Sequence, residues 1–218
     1  LRAMRKPNGE AVGEIDLSAT RGLFHDVFAK VWRGAAESDG FNRLVLLAGM
    51  DARGIVVLRA YAKYLRQAAF TFSQAYIEET MANHPAIARM LVGLFAARFD
   101  PGLAKANDRA TVEKGIAVEI EHALDAVTNL DEDRILRRYL NLIGATLRTN
   151  HYQVGADGQP KPYLSLKLDS RAVEELPLPR PLVEVFVYST RVEAIHLRGG
   201  RVARGGIRWS DRREDFRT

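Results

Sequence analysis

Thirteen residues, GGRVARGGIRWSD (Gly199 to Asp211), hold two Gly-Gly pairs and three arginines. Arginine presents a planar fork of donors that matches carboxylate and phosphate. Glycine within a strand lets a ligand or another backbone come close. Arg204 and Arg208 flank Gly205-Gly206, so bare N–H groups and guanidinium groups together can bind an anion. The same residues also suit a β-bulge whose arginines pair with Asp211, Glu214 and Asp215. Gly199-Gly200 suits a hairpin turn. A disordered RGG tail that binds RNA is a third form of such composition. Against it, Val202, Ile207 and Trp209 interrupt the glycines, and the strand-like runs VEVFVYS and RVEAIHL precede them.

Charge isolates this segment from the rest. The chain has 218 residues and a net charge of +5, and residues 198–218 hold seven arginines against three acids. Nearly all of the excess therefore sits at one end, whereas a general nucleic-acid face needs it spread over a surface. No apolar run approaches the ~18 residues of a membrane span. LRAMRKPNGEAVGE lacks the apolar region of a signal peptide. The absence of cysteine excludes disulfides, thiolate zinc sites and a cysteine nucleophile within these residues. Because the first residue is Leu1, the sequence is expected to be a piece of something longer.

The elements that must position the Gly-Arg segment fall into two kinds. From Leu17 to Glu37 the spacing is helical, with Leu23, Val27 and Val31 beside Phe24, Phe28 and Trp32. FNRLVLLAGM reads as a short helix ending near Gly49. DARGIVVLRAYAKYLRQ follows, with Leu58, Tyr61, Ala62 and Leu65 at i, i+3, i+4 and i+7. Ser73 is the expected N-cap of SQAYIEETMA, and Pro85 suits the first turn of the next helix, which stops at Asp100-Pro101. A further helix runs to about Val127. LDEDRILRRYLNLIGATLR has three acids in its first turn, where the helix dipole favours them. It is expected to end with Arg148, to place Leu136, Leu140, Ile143 and Leu147 on one stripe, and to leave Arg137 and Arg138 solvated. Phe95, Trp32 and Tyr139 are most simply core.

After about Thr149 the period changes to two. YLSLKLD, VEVFVYS and RVEAIHL alternate as strands do, with the proline-rich ELPLPRP as an extended connector. RVARGGIRW is a further short strand candidate interrupted by glycines. The fold class expected is α+β: residues 1–149 an all-helical domain of about six helices, then residues 150–218 a partial β-rich segment.

Other chemistry is thinly represented. Glu119 and His122 stand at i, i+3, as in carboxylate-bridged metal sites, but no second pair at matching spacing accompanies them. His25-Asp26 is a lone adjacent pair. No G-x-G-x-x-G, G-x-x-x-x-G-K-[ST] or G-x-S-x-G occurs, so no common nucleotide loop and no catalytic triad is expected here.

The longest stretch is the most specific. VEVFVYSTRVEAIHLRGGRVARGGIRWSDRREDFRT closely resembles the start of the catalytic region in the large bacterial-type NAD-dependent glutamate dehydrogenases. DGFNRLVLLAGM, VLRAYAKYLRQ, HPAIARMLVGLFAARFDP and LDEDRILRRYLNLIGATLRTN in the helical part, and KPYLSLKLDSR after it, resemble the same family. In the wider glutamate dehydrogenase group a strand pair leads into K-G-G-x-R, whose lysine helps hold a substrate carboxylate. The matching stretch is Arg204-Gly205-Gly206-Ile207-Arg208, so Arg204 stands where the small enzymes carry lysine. The positive charge is kept, but a fork replaces a point charge. The resemblance implies that Arg204, Gly205 and Gly206 bind substrate and that Arg208 and Asp211 support them. It implies oxidative deamination of L-glutamate to 2-oxoglutarate and ammonia, with NAD as cofactor, in a cytoplasmic homo-oligomer that engages neither nucleic acid nor membrane. The catalytic lysine, the catalytic aspartate and the NAD domain are expected beyond Thr218, so the segment alone is expected to be inactive. The competing expectation, from the basic end, is a helical interaction or regulatory module whose tail binds a partner or RNA.

Overall fold

The computed structural model describes residues 8–9, 17–103, 106–200 and 202. Among the described residues seven α-helices precede a four-stranded sheet, the α+β arrangement expected from the change of period. The helices are α1 (Leu17–Trp32), α2 (Leu44–Leu47), α3 (Ala52–Gln67), α4 (Gln74–Asn83), α5 (Pro85–Phe99), α6 (Ala106–Leu124) and α7 (Leu130–Ala145). A 3₁₀ turn, Gly40–Arg43, leads into α2. The strands β1 (Thr146–Thr149), β2 (Leu164–Asp169), β3 (Val183–Tyr188) and β4 (Glu193–Arg198) pair in that order, all antiparallel.

Local chemistry sets the helix starts. The Ser73 hydroxyl accepts from the Tyr76 N–H at 3.2 Å, and Pro85 sits in the first turn of α5. The Asn129 side chain accepts from the N–H groups of Asp131 and Glu132, and Asp131, Glu132 and Asp133 occupy the first turn of α7. Asp51 caps α3 by accepting from the Gly54 N–H at 2.8 Å.

Helix α3 is the axis of the molecule. It is buried on nearly every face, touching α1, α4, α5 and the inner faces of β2 and β3. Those faces alternate as period two requires: Leu164, Leu166 and Leu168 of β2 lie inward beside Glu184, Phe186 and Tyr188 of β3. Helices and sheet thus share one hydrophobic core, with Tyr61, Phe95 and Tyr139 edge to face within it.

Three features depart from expectation. Helix α7 ends at Ala145 and not at Arg148, because Thr146 turns extended to pair with Leu168. The Thr146 hydroxyl donates to the Leu142 carbonyl at 2.7 Å and so accepts from the Tyr61 hydroxyl at 2.7 Å. Leu147, placed on the apolar stripe by helical spacing, is consequently exposed. Arg138 is buried and not solvated: it donates to the Glu174 carbonyl and the Glu175 carboxylate and lies over the Phe70 ring. Arg137 remains outside, bound to Asp133 and Glu121. Trp32 is 82% exposed and so is not core, while Phe95 and Tyr139 are fully buried.

Candidate functional site

A cluster of buried polar groups lies between α3 and the β3–β4 hairpin. Arg59 and Lys63 are one helical turn apart and 1% and 2% exposed. Buried cations need partners, and these have carboxylates from outside their helix. Arg59 grips Asp39 with two parallel bonds, Nε to Oδ2 at 2.6 Å and Nη2 to Oδ1 at 2.8 Å. Its Nη2 also reaches Asn42 Oδ1 at 2.9 Å. Lys63 Nζ sits 2.9 Å from Glu37 Oε2 and 3.7 Å from Glu193 Oε1. The Tyr188 hydroxyl donates to the other Glu37 oxygen at 2.9 Å, and the Tyr64 hydroxyl donates to Glu184 at 2.8 Å.

The loop before α2 is shaped to deliver those acids. Asp39 Oδ1 also accepts from the Phe41 N–H at 3.2 Å, capping the 3₁₀ turn. Gly40 passes so close to Glu78 that a Cβ there would lie 2.7 Å from its carboxylate oxygen, and the Gly40 N–H donates to that oxygen instead. Burial pushes the Glu37 carboxyl up, but the Lys63 ammonium, the Tyr188 hydroxyl and Arg59 outweigh it and hold the group below the ordinary carboxylate value. Burial raises the Tyr188 phenol, with Glu37 and Asp39 adding to the rise. The cations are thus consumed by protein carboxylates, and the cluster serves to hold elements together.

What it holds is the approach to the Gly-Arg segment. The Ser189–Val192 turn closes with a 2.8 Å bond from the Ser189 N–H to the Val192 carbonyl, and Thr190 donates to the Gly34 carbonyl at 3.0 Å. Strand β4 then runs in full register along β3, from Glu193 opposite Tyr188 to Arg198 opposite Val183. Gly199 and Gly200 follow, exposed, with nothing within 4 Å of either Cβ position and neither in the left-handed region. The expected site residues Arg204, Gly205, Gly206, Arg208 and Asp211 lie outside the described residues.

The other candidates stay apart. Glu119 and His122 are exposed on α6, and among the described residues no group of three or more His, Cys, Asp or Glu could hold a metal ion. Asp26 binds Lys30 and is not joined to His25 in an ion pair. His84 and Asn83 both contact Glu132, at 2.8 and 2.7 Å, which ties α4 to α7. His151 packs edge-on against Phe95 and Tyr152. Burial, with Arg53 nearby, lowers its imidazole to about 4. A cleft of about 70 Å³ between α3, α7 and the Val173–Glu175 loop is far below the ~300 Å³ of small-molecule pockets. Its Arg134 and Arg138 already meet Glu175.

Comparison with known proteins gives the frame for this geometry. Residues 119–218 match the family described as "Bacterial NAD-glutamate dehydrogenase, catalytic domain". Residues 36–101 match "Glutamate dehydrogenase, helical motif 3". The chain belongs to the bacterial NAD-glutamate dehydrogenase family. It is 50% identical over 205 residues to the NAD-specific glutamate dehydrogenase of Halomonas elongata, covering 94% of this chain and 12% of that protein. It is 50% identical over 208 residues to the Pseudomonas aeruginosa protein of the same name, covering 94% of this chain and 13% of the relative. The Mycobacterium tuberculosis protein of that name is 49% identical over 205 residues, again with 12% of its length covered. The chain therefore spans about an eighth of the length of the relatives it matches.

In the glutamate dehydrogenase frame the ion cluster joins the two matched regions. Glu37, Asp39, Arg59 and Lys63 fall in the helical motif, and Glu184, Tyr188 and Glu193 in the catalytic domain. Sequence reasoning missed these residues. One signal was available: Arg59 and Lys63 are like charges at i, i+4 in a helix with no acid between Ala52 and Gln67, so any partner had to come from elsewhere.

Proposed function

We propose that this chain is the part of an NAD-dependent glutamate dehydrogenase that joins the helical region to the first strands of the substrate-binding domain, with the junction near residue 150. Arg204, Gly205 and Gly206 hold a carboxylate of L-glutamate, and Arg208 and Asp211 support them. The observation that carries this reading is the strand arrangement. A regular antiparallel hairpin ends at Arg198, six residues before Arg204, and so delivers the Gly-Arg segment from a fixed base. The identity to NAD-specific glutamate dehydrogenases over 94% of the chain supports the same reaction.

In this reading the segment contributes orientation. A guanidinium beside bare glycine N–H groups neutralises a substrate carboxylate and fixes the amino acid, which lowers the entropic part of the barrier. NAD would supply the hydride acceptor for the oxidation of L-glutamate to 2-oxoglutarate and ammonia, from a part of the full-length protein other than the described residues. The described residues do not fit NAD itself: the sheet is wholly antiparallel, so no parallel βαβ unit presents a helix N-terminus to a pyrophosphate. In this reading the NAD site, the catalytic lysine and the catalytic aspartate are supplied by other parts of the full-length protein. The whole protein is a cytoplasmic homo-oligomer in this account. Among the described residues no helix is long and apolar enough to cross a membrane.

The test is glutamate-dependent NAD reduction by the full-length protein, repeated with Arg204→Ala. Loss of a charge-assisted contact should raise KM for glutamate roughly tenfold to a hundredfold with KM for NAD unchanged. Kinetics like those of the wild type would remove Arg204 from the substrate site.

A further inference from the structure

We infer that Lys63 is a positioning residue for the substrate strand: through Glu193 and Glu37 it fixes the register of β4, and hence the direction from which the Gly-Arg segment enters the substrate site. This rests on the assignment of Arg204, Gly205 and Gly206 to that site.

Apolar patterning defines β4 weakly. Its inward side carries Glu193, Ile195 and Leu197, opposite Tyr188, Phe186 and Glu184, and only Ile195 among its apolar residues packs against the core. Leu197 and Ala194 are exposed. A slip of one residue turns every side chain of a strand to the other face. With so little apolar preference, such a slip costs β4 little hydrophobic contact. It would cost the Lys63 ion pair outright, because Glu193 would leave the face on which the buried ammonium lies.

The second arm of the clamp acts on β3. Lys63 holds Glu37 at 2.9 Å, and Glu37 holds the Tyr188 hydroxyl at 2.9 Å. Tyr188 is opposite Glu193, so one ammonium fixes both sides of the hairpin at the same rung. Arg59, one turn earlier, anchors the loop that carries Glu37 by bonding Asp39 and Asn42. A buried ionic group that specifies register is a known use of such pairs. None of these side chains touches substrate in this account; they act through the strand.

The test uses the full-length protein with three variants: Lys63→Met, Lys63→Arg and Glu193→Gln. The last keeps shape and leaves the Lys63–Glu37 pair in place, so it reports even if Lys63→Met fails to fold. Misplacement of a carboxylate contact by a fraction of an ångström to an ångström should raise KM for glutamate about tenfold or more in Lys63→Met and Glu193→Gln. KM for NAD should stay within about twofold, and Lys63→Arg should recover most of the glutamate affinity. An unchanged KM for glutamate in folded Glu193→Gln overturns the inference. So does a fall in kcat and thermal stability with no split between the two KM values, which marks a structural role alone. Wild-type protein that fails to reduce NAD with glutamate overturns the enzyme reading, and the positioning role falls with it. Active wild type with a normal Arg204→Ala variant overturns only the assignment of Arg204, and with it the target of the strand.

Discussion

Helices α1 and α3 are both sixteen residues long, and each carries residues whose burial runs opposite to their type. In α1, Phe24, Phe28 and Trp32 form a stacked ladder with ring centroids 6.1 and 6.3 Å apart, yet all three are exposed. In α3, Arg59 and Lys63 are nearly inaccessible. Position explains the inversion. Helix α1 packs on α2 and α3 with one side only, through Val27, Leu23 and Val31, and the described residues place nothing over its aromatic ladder. Helix α3 is enclosed by helices and sheet, so its cations are carried inside with Asp39, Glu37 and Glu193 as partners. Burial is set by what the rest of the chain brings to a helix face, and charge goes inside wherever partners are supplied with it.

The contrast can be broken most forcefully at Asp39. Asp39→Ala leaves the Arg59 guanidinium buried without its bidentate partner, and urea unfolding should register a loss of about 3–5 kcal/mol. A loss below about 1 kcal/mol would mean that water reaches Arg59, and α3 would no longer differ in kind from α1. A smaller effect is expected at Tyr61, whose hydroxyl is fully buried against Thr146. Tyr61→Phe should cost about 1 kcal/mol and loosen the junction between α7 and β1.

Two groups outside these helices make the stability of the fold sensitive to acid. The unfolded His151 imidazole binds a proton below about pH 6.5, whereas in the fold it does so only below about pH 4. Between those values the unfolded state holds more protons, so stability falls as pH is lowered across the window. His151→Phe should flatten that part of a plot of melting temperature against pH. Glu37 acts lower: its folded carboxyl titrates below the ordinary value of 4.5, so its contribution is present above that pH and is lost as pH falls through the folded value. Glu37→Gln should remove this second loss. The smallest effect belongs to α1, where Trp32→Ala should change unfolding free energy by no more than about 0.5 kcal/mol. A larger cost would show that the ladder is covered, and the contrast between the two helices would disappear.

What could be read from the sequence was governed by range. Ser73, Pro85 and the acids of α7 mark helix starts because a cap is made within three or four residues. Strands β2 to β4 were legible from alternation, which is equally local. The end of α7 was not, because Thr146 turns extended to pair with Leu168, 22 residues downstream. Arg138 was misjudged for the same reason: its partners Glu174 and Glu175 lie 36 and 37 residues downstream. The candidate site divides in the same way. The RGGIRWSD stretch stands out by resemblance to one family, but the clamp behind it joins three separate parts of the chain and has no local pattern.

In the inferred arrangement α3 fixes β4 through Lys63 and Glu193. Amide hydrogen exchange in the full-length protein tests it most directly, comparing wild type with Glu193→Gln. Loss of the clamp should speed exchange across residues 192–198 while α5 and α6 keep their wild-type protection. Equal protection of β4 in both proteins would contradict the claim.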